Sequence, residues 1–466
     1  MRIQILLPFI ILAITVSSLF SQPFNEEKLS VTLEKSIAMA LDHNPSVKVA
    51  EKELEKAEAE VTQAWSAILP QLDASVNFQH AWAIQESTIP NFIKPMLAPI
   101  ADYIEGINQM PDYVRIAFGQ ENTLNYGLTL SQPLFLGGAG LAGIKMSKAS
   151  VRAAEHNLDS KRQQLIFLCV DGFYSCLLAQ KLITVQEEAM DQAKANLDVV
   201  LKKYEVGAAS GYDKMRAEVE VANLKPELIS ARNSYQLALT RLRAIIGLAR
   251  DSALEVNGAF VYEEDDFARL PLAELQDIAL KNRPEMKTIN EQKQITQQGI
   301  TIARSDFMPK VFFTTDYSYL AMKNDLNFSK NDFSKGFVSA ISLRLSLFNG
   351  LKTVKQYQKA QLDYYIVQDS EKQLIDVIYA EVEVALNNFN EAWQKYISAE
   401  ETVALAQESL RLANLMYEEG ANTQLDVLVS RLSLTQAQMN YYRTLYQYQI
   451  ARYQLRKVTG QTKGAL

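Results

Sequence analysis

The feature that most constrains this chain is that it is written twice. Leu41-Asp42-His43-Asn44-Pro45 returns as Leu280-Lys281-Asn282-Arg283-Pro284, an offset of 239 residues, and Leu69-Pro70-Gln71-Leu72 returns as Met308-Pro309-Lys310-Val311 at the same offset. Farther on the offset is 213 and stays there: Leu134-Phe135 answers to Leu347-Phe348, Gly137 to Gly350, Tyr204 to Tyr417, Gly207 to Gly420, Asp213 to Asp426 and Gly247 to Gly460. The change of 26 residues is an insertion in the first copy, between about Gln79 and Asn125. A register held this long means two like units, about 22–248 and 272–466, joined by a linker at 249–271. The acidic run Glu263–Asp266 reads as a solvated part of that linker.

Each copy changes period in the same order. Pro45 to Ile68 and Pro284 to Phe307 are rich in Ala, Glu, Lys and Gln and read as helix. After Pro70 the period becomes two, with Leu72, Ala74, Val76, Phe78 and Trp82 set against Asp73, Ser75, Asn77 and Gln79. The spacing predicts strands at about 72–82, 125–135, 311–320 and 336–348. Two proline-free helices follow, about Ala139–Lys203 and Leu351–Met416, each roughly 98 Å long at 1.5 Å per residue. Shorter helices, Tyr212–Gly247 and Leu425–Gly460, come after glycine turns. One pre-strand helix and one such short helix, end to end, span roughly 92 Å. Two short helices stacked coaxially beside one long one fit that arithmetic.

Several classes of function are excluded. A net charge of −7 argues against nucleic acid as a partner, since phosphate binding needs clustered Lys and Arg. Cys169 and Cys176 lie about 10.5 Å apart along one helix, too far for a disulfide, and read as buried apolar-like thiols. His43, His80 and His156 are isolated, so no metal site is expected. No phosphate loop, HExxH or GxSxG is present; the chain reads as no enzyme and as needing no cofactor. Met1-Arg2, the apolar stretch Ile5–Val16 and the small residues after it read as a signal peptide over 1–21, leaving a mature chain from Gln22. Downstream of it no apolar run of 18 residues suggests a spanning helix.

The four alternating strands have the length of tilted transmembrane β-strands, with Trp82, Tyr126, Tyr317, Tyr319 and Phe337 near their ends as an aromatic girdle. Hydrocarbon demands a closed sheet, and four strands are too few to close alone, so the barrel is expected to be shared between subunits. The rival reading, a periplasmic structural or adhesive coiled-coil protein, leaves the strands unexplained and lacks sustained heptads.

The stretch Leu29–Leu41 with Asn44-Pro45, the Leu69-Pro70-Gln71-Leu72 exit, Pro133-Leu134-Phe135 with Gly137-Gly138, and the paired Tyr-x-x-Gly-x-x-x-x-x-Asp turns together resemble the TolC family of outer-membrane efflux proteins. The resemblance covers about Leu29 to Gly460. It implies a mainly α fold with a small β part, in which a homotrimer shares one β-barrel continued by a long α-helical barrel through the periplasm. It also implies a passive exit duct in the cell outer membrane, with a periplasmic adaptor (membrane fusion) protein and an inner-membrane transporter as partners. Drug efflux, heavy-metal efflux and type I protein secretion are all compatible with it. Adaptor docking carries over to Val206-Gly207-Ala208 and Glu419-Gly420-Ala421. The periplasmic aperture is assigned to Asp426 and Asp213: Asp426 matches an acid that rings it in the family, and both acids are also placed to cap the short helices that follow, which is the main reading for Asp213. The family's type member has a second acid one turn later, where Val429 stands here. Arg344 is expected on the lumen side of its strand, and the insertion is expected to be an extracellular loop.

Overall fold

The computed structural model describes residues 29–462, apart from 101–102, 104–105 and 107–108. The signal segment 1–21 lies outside the described residues. In chain order the first half holds β1 (Leu29–Val31), α1 (Leu33–His43), α2 (Pro45–Ser66), β2 (Gln71–His80), β3 (Glu86–Pro90), α3 (Ile93–Leu97), β4 (Tyr113–Ala117), β5 (Asn122–Phe135), α4 (Ala139–Glu205) and α5 (Gly211–Ile246). β6 (Leu254–Val256) lies between the halves. The second half holds α6 (Leu272–Asn282), α7 (Pro284–Ser305), β7 (Lys310–Lys323), β8 (Phe333–Arg344), α8 (Lys352–Glu418) and α9 (Gln424–Val458). α2 and α7 have 22 residues each, and α4 and α8 have 67 each, so corresponding columns are equally tall. Sixty-seven residues rise about 100 Å.

The short helices do stack end to end. α5 stops at Gly247 in the left-handed conformation (φ 79°), and the main chain of His43 lies 3.0 Å from where a Cβ would stand. Asn44 completes this joint, because its side-chain amide donates to the carbonyl of Ile245 at 2.8 Å while its oxygen accepts from Ser46 N at the head of α2. Gly460 (φ 72°) meets Asn282 and Arg283 in the same way below α7. Any residue with a side chain would be strained twice over here, by φ and by contact.

Packing sets the columns in the order α2/α5, α4, α7/α9, α8. The sheet above repeats it, β2-β5-β7-β8, antiparallel throughout. Leu72 faces Leu130, Ala74 faces Leu128 and Val76 faces Tyr126; Tyr126 and Leu128 in turn face Tyr319 and Tyr317. Alternate rows bring Asp73, Thr129 and Asp316 together on the other face, where Thr129 Oγ1 donates to Asp316 at 2.7 Å. Arg344 lies on this polar face, opposite Lys310. The strands differ from expectation at their ends. β2 stops at His80, short of Trp82, and β8 stops at Arg344, short of Leu345 and Leu347, because pairing with β5 and β7 ends there. The insertion is not featureless: β3 and β4 form a separate two-stranded sheet.

The linker departs from the solvated segment expected. β6 pairs with β1 in parallel, and the segment lies against α9. Asp265, with a side chain only 3% exposed, accepts from Arg452 Nε at 3.0 Å and from Arg456 at 2.9 Å. Burial pushes its carboxyl up, but the Arg456 and Arg452 guanidiniums outweigh burial and hold it below its ordinary range. Its acidic neighbours conceal this in the sequence; only the tertiary partners distinguish Asp265 from them. α4 also departs from expectation, since an eighteen-residue stretch of it reaches a mean hydropathy of 1.5, apolar enough to cross a membrane by composition. Half of that stretch is buried in the protomer, and Leu165, Ile166, Cys169, Val170, Phe173, Cys176 and Leu177 of α4 belong to the main core. Both thiols are free and fully buried, and burial pushes them up to about 12.

Candidate functional site

The long helices end, farthest from the sheet, in two turns of one design. Each closes through a glycine in the left-handed region, Gly207 (φ 75°) and Gly420 (φ 76°). The amide of Ala208 then reaches back to Lys203 O at 2.8 Å, and that of Ala421 to Met416 O at 2.8 Å, satisfying carbonyls the helix leaves open. The next helix starts on a reciprocal cap. Ser210 Oγ accepts from Asp213 N at 3.2 Å, and Asp213 Oδ2 accepts from Ser210 N at 3.0 Å and Ser210 Oγ at 2.6 Å. Thr423 and Asp426 repeat the arrangement at 3.4, 2.9 and 2.6 Å.

Both acids thus serve the caps expected of them, though as the third residue of each helix, with Ser210 and Thr423 as the N-cap residues themselves. Hydrogen bonds from the Ser210 hydroxyl and amide hold the Asp213 carboxyl below its ordinary range, and those from Thr423 do the same at Asp426. Both acids stay ionised in the protomer. Val206 is 79% exposed, and Gly207, Ala208, Glu419, Gly420 and Ala421 are exposed beside it, so the six residues expected to dock an adaptor form two open tips.

Contacts between the hairpins were not legible in the sequence. Lys203 Nζ sits 4.1 Å from the centre of the Tyr417 ring, tying the first hairpin to the second. Arg431 on α9 and Glu220 on α5 pair at 2.8 Å with side chains 8% and 9% exposed. A cleft of about 530 Å³, lined in part by Val199, Lys203, Leu410, Tyr417 and Val427, separates α4 from α8 at this level. These residues lie more than two hundred positions apart, and neither pairing has a local signature. Among the described residues no three His, Cys, Asp or Glu gather as a metal site would require.

A sheet apolar on one face and polar on the other, standing on helical columns about 100 Å tall with open tips, defines a wall segment of a membrane-anchored duct. The chain belongs to the outer membrane efflux protein family, whose model matches residues 36–248 and again 275–461, once in each half. It is 23% identical over 428 residues to the cobalt-zinc-cadmium resistance protein CzcC of Cupriavidus metallidurans, covering 90% of this chain and 88% of that one. The alkaline protease secretion protein AprF of Pseudomonas aeruginosa is 21% identical, with coverages of 93% and 85%. The crystal structure of the Campylobacter jejuni CmeC outer membrane channel superposes with a TM-score of 0.73 at 20% identity, covering 92% of this chain and 86% of that one. The chain is thus an outer-membrane channel protein of the efflux and secretion type.

Proposed function

We propose that three copies close into a single passive exit duct, a twelve-stranded β-barrel continued by an α-helical barrel, that carries cargo delivered by an inner-membrane transporter through a periplasmic adaptor. One observation carries this reading: sheet and helix layer are open at the same two sides. Among the described residues β2 and β8 have no second partner, and below them the α2/α5 column and α8 each have a neighbour on one side only. Unpaired strand edges are untenable in hydrocarbon, so β8 of one copy pairs with β2 of the next. The same operation brings α8, with Leu362, Ile366 and Val384 exposed, against the next copy's α2/α5 column, where Val49 of α2 and Val219, Ile229 and Leu237 of α5 are exposed. Cyclic repetition of one heterologous contact closes a ring.

In that ring Asp73, Thr129 and Asp316 face water and Leu72, Leu130 and Leu343 face lipid. The linker belt lies outside, since inside it would plug the duct. The tips at Val206–Ala208 and Glu419–Ala421 take the adaptor, Asp426 lines the periplasmic aperture and Asp213 caps its helix. The lobe at β3 and β4 is extracellular. The mass of the detergent-extracted outer-membrane species tests the reading. A trimer is expected, and a soluble monomer in the periplasmic fraction refutes it.

A further inference from the structure

The inner lining of α9 points to an apolar constriction beside Asp426. α9 turns Tyr448, Gln449, Arg452 and Arg456 toward the linker. The opposite face holds Lys457, whose ammonium lies 4.8 Å from the Phe167 ring of α4. Stepping back from Lys457 by alternate threes and fours, the period of one face of a supercoiled helix, leads through Gln447 and Asn440 to Ser433, Val429 and Asp426. From Gln447 to Asp426 every step is exposed in the protomer. This stripe is polar, as the wall of a water-filled duct should be. Val429 is the one apolar side chain in its lower half, 53% exposed, about 4.5 Å inward from Asp426 at 1.5 Å per residue.

We infer that in the closed duct three Val429 side chains, one from each copy, meet in an apolar ring just inside the Asp426 carboxylates, and that this ring, by excluding water, is what stops ions. The inference rests on the trimeric reading. The occupant assigned to the stripe is the same stripe on the other copies. It lies on the face turned away from the linker belt, and Leu425 and Leu432 beside it are also exposed, at 44% and 54%. The Asp426 carboxylate is ionised and shares one oxygen between the Thr423 amide and hydroxyl, so it gathers cations at the mouth without closing the path. A narrow ring of valines supplies the barrier, because a hydrophobic constriction closes by dewetting.

Planar-bilayer conductance of the purified full-length protein tests the two rings separately. V429S should raise closed-state conductance several-fold, V429I should stay at the wild-type level, and D426A should change divalent-cation sensitivity while leaving closed conductance low. V429S conducting like wild type, or D426A alone opening the duct, would overturn the inference. Independently of gating, V429C treated with a short bis-maleimide should give covalent dimers on denaturing gels, two thiols of each trimer being joined and the third left over, since Cys169 and Cys176 are buried. A V429C trimer that stays uncross-linked sinks the valine ring but not the duct. A wild-type protein that is monomeric after extraction sinks both.

Discussion

The two long helices have the same length and corresponding places in the two halves, yet one is covered on two sides and the other on one. α4 stands between α2/α5 on one side and α7/α9 on the other, and its stretch from Leu165 to Leu177 is core. α8 has neighbours on one side only and leaves Leu362, Ile366, Val377 and Val384 in the open. Position in the layer, not residue type, makes the difference: α4 is interior and α8 is an edge. Edge apolar surface of this extent calls for a further partner, which in the proposed duct is the next copy.

The halves also differ where they should match. The strand-to-helix corner of the first copy uses Gly137 and Gly138, both at positive φ. The second uses Gly350 and Leu351, and Leu351 is the single non-glycine residue at positive φ (68°) among the described residues. At the column joints, Asn44 caps α2 whereas Arg283, its counterpart, makes ion pairs with Glu285 and Glu381 instead. Like sequences were thus kept alike in height and made unlike in chemistry.

The largest effect should come from the element that spans both halves. Asp265→Ala leaves Arg452 and Arg456 facing each other without their shared acid and should lower stability by about 3–5 kcal/mol, measured by denaturant unfolding. The same carboxyl should make the fold acid-labile. Its folded pKa lies below the ordinary carboxylate value of about 3.9, so its contribution is full above that pH and is lost as pH falls through the folded pKa. Wild type should therefore lose its stability margin over D265N in that window; an unchanged margin would mean that Asp265 is not the anchor.

Next in size is the sheet. Leu130→Arg and Leu343→Arg should each destabilise the barrel by about 2–4 kcal/mol near mid-membrane, whereas Thr129→Arg and Ser342→Arg should assemble far better. Equal trimer yields from both faces would mean the register is misread. The column joints come third. Gly247→Ala and Gly460→Ala should each cost about 1–2 kcal/mol from φ alone, and more from contact, as read by thermal unfolding. A loss at one joint only would show that the halves differ there as well. The smallest effect has the opposite sign: Leu351→Gly should relieve about 1 kcal/mol of left-handed strain, while Gly138→Leu should add it.

Much of this was legible because period and repeat are local properties. The alternation of Leu72 to Phe78 against Asp73 to Gln79 placed the β2 faces, and the counterpart in Val311 to Tyr319 placed those of β7. Ser210 and Asp213, three apart, announced a cap, and Thr423 with Asp426 carried the same signal beneath the expectation of an aperture residue. What stayed hidden was chemistry between distant segments. Asp265 looks like its neighbours until Arg452 arrives, 187 residues later, and Glu220 looks solvated until Arg431 covers it, 211 residues on. The Gly247–Gly460 match marked the repeat, but its cause, a chain passing 3.0 Å away, belongs to the folded molecule.

The joints at Gly247 and Gly460 make every second pillar of the wall a pair of stacked drums rather than a rod. α4 and α8 carry bending loads through unbroken backbone; α5 and α9 meet α2 and α7 without a continuous helical ladder, the α5 joint being bridged by the Asn44 side chain. Torque applied at the tips can therefore rotate the lower drums against the upper ones without stretching a helical hydrogen bond. The strip at 254–271, bolted to α9 by Asp265 and paired to the head of the chain through β1, girdles the wall at the height of those joints. In the proposed ring such a strip would act as a hoop, leaving the lower drums free to twist while the anchored end stays round.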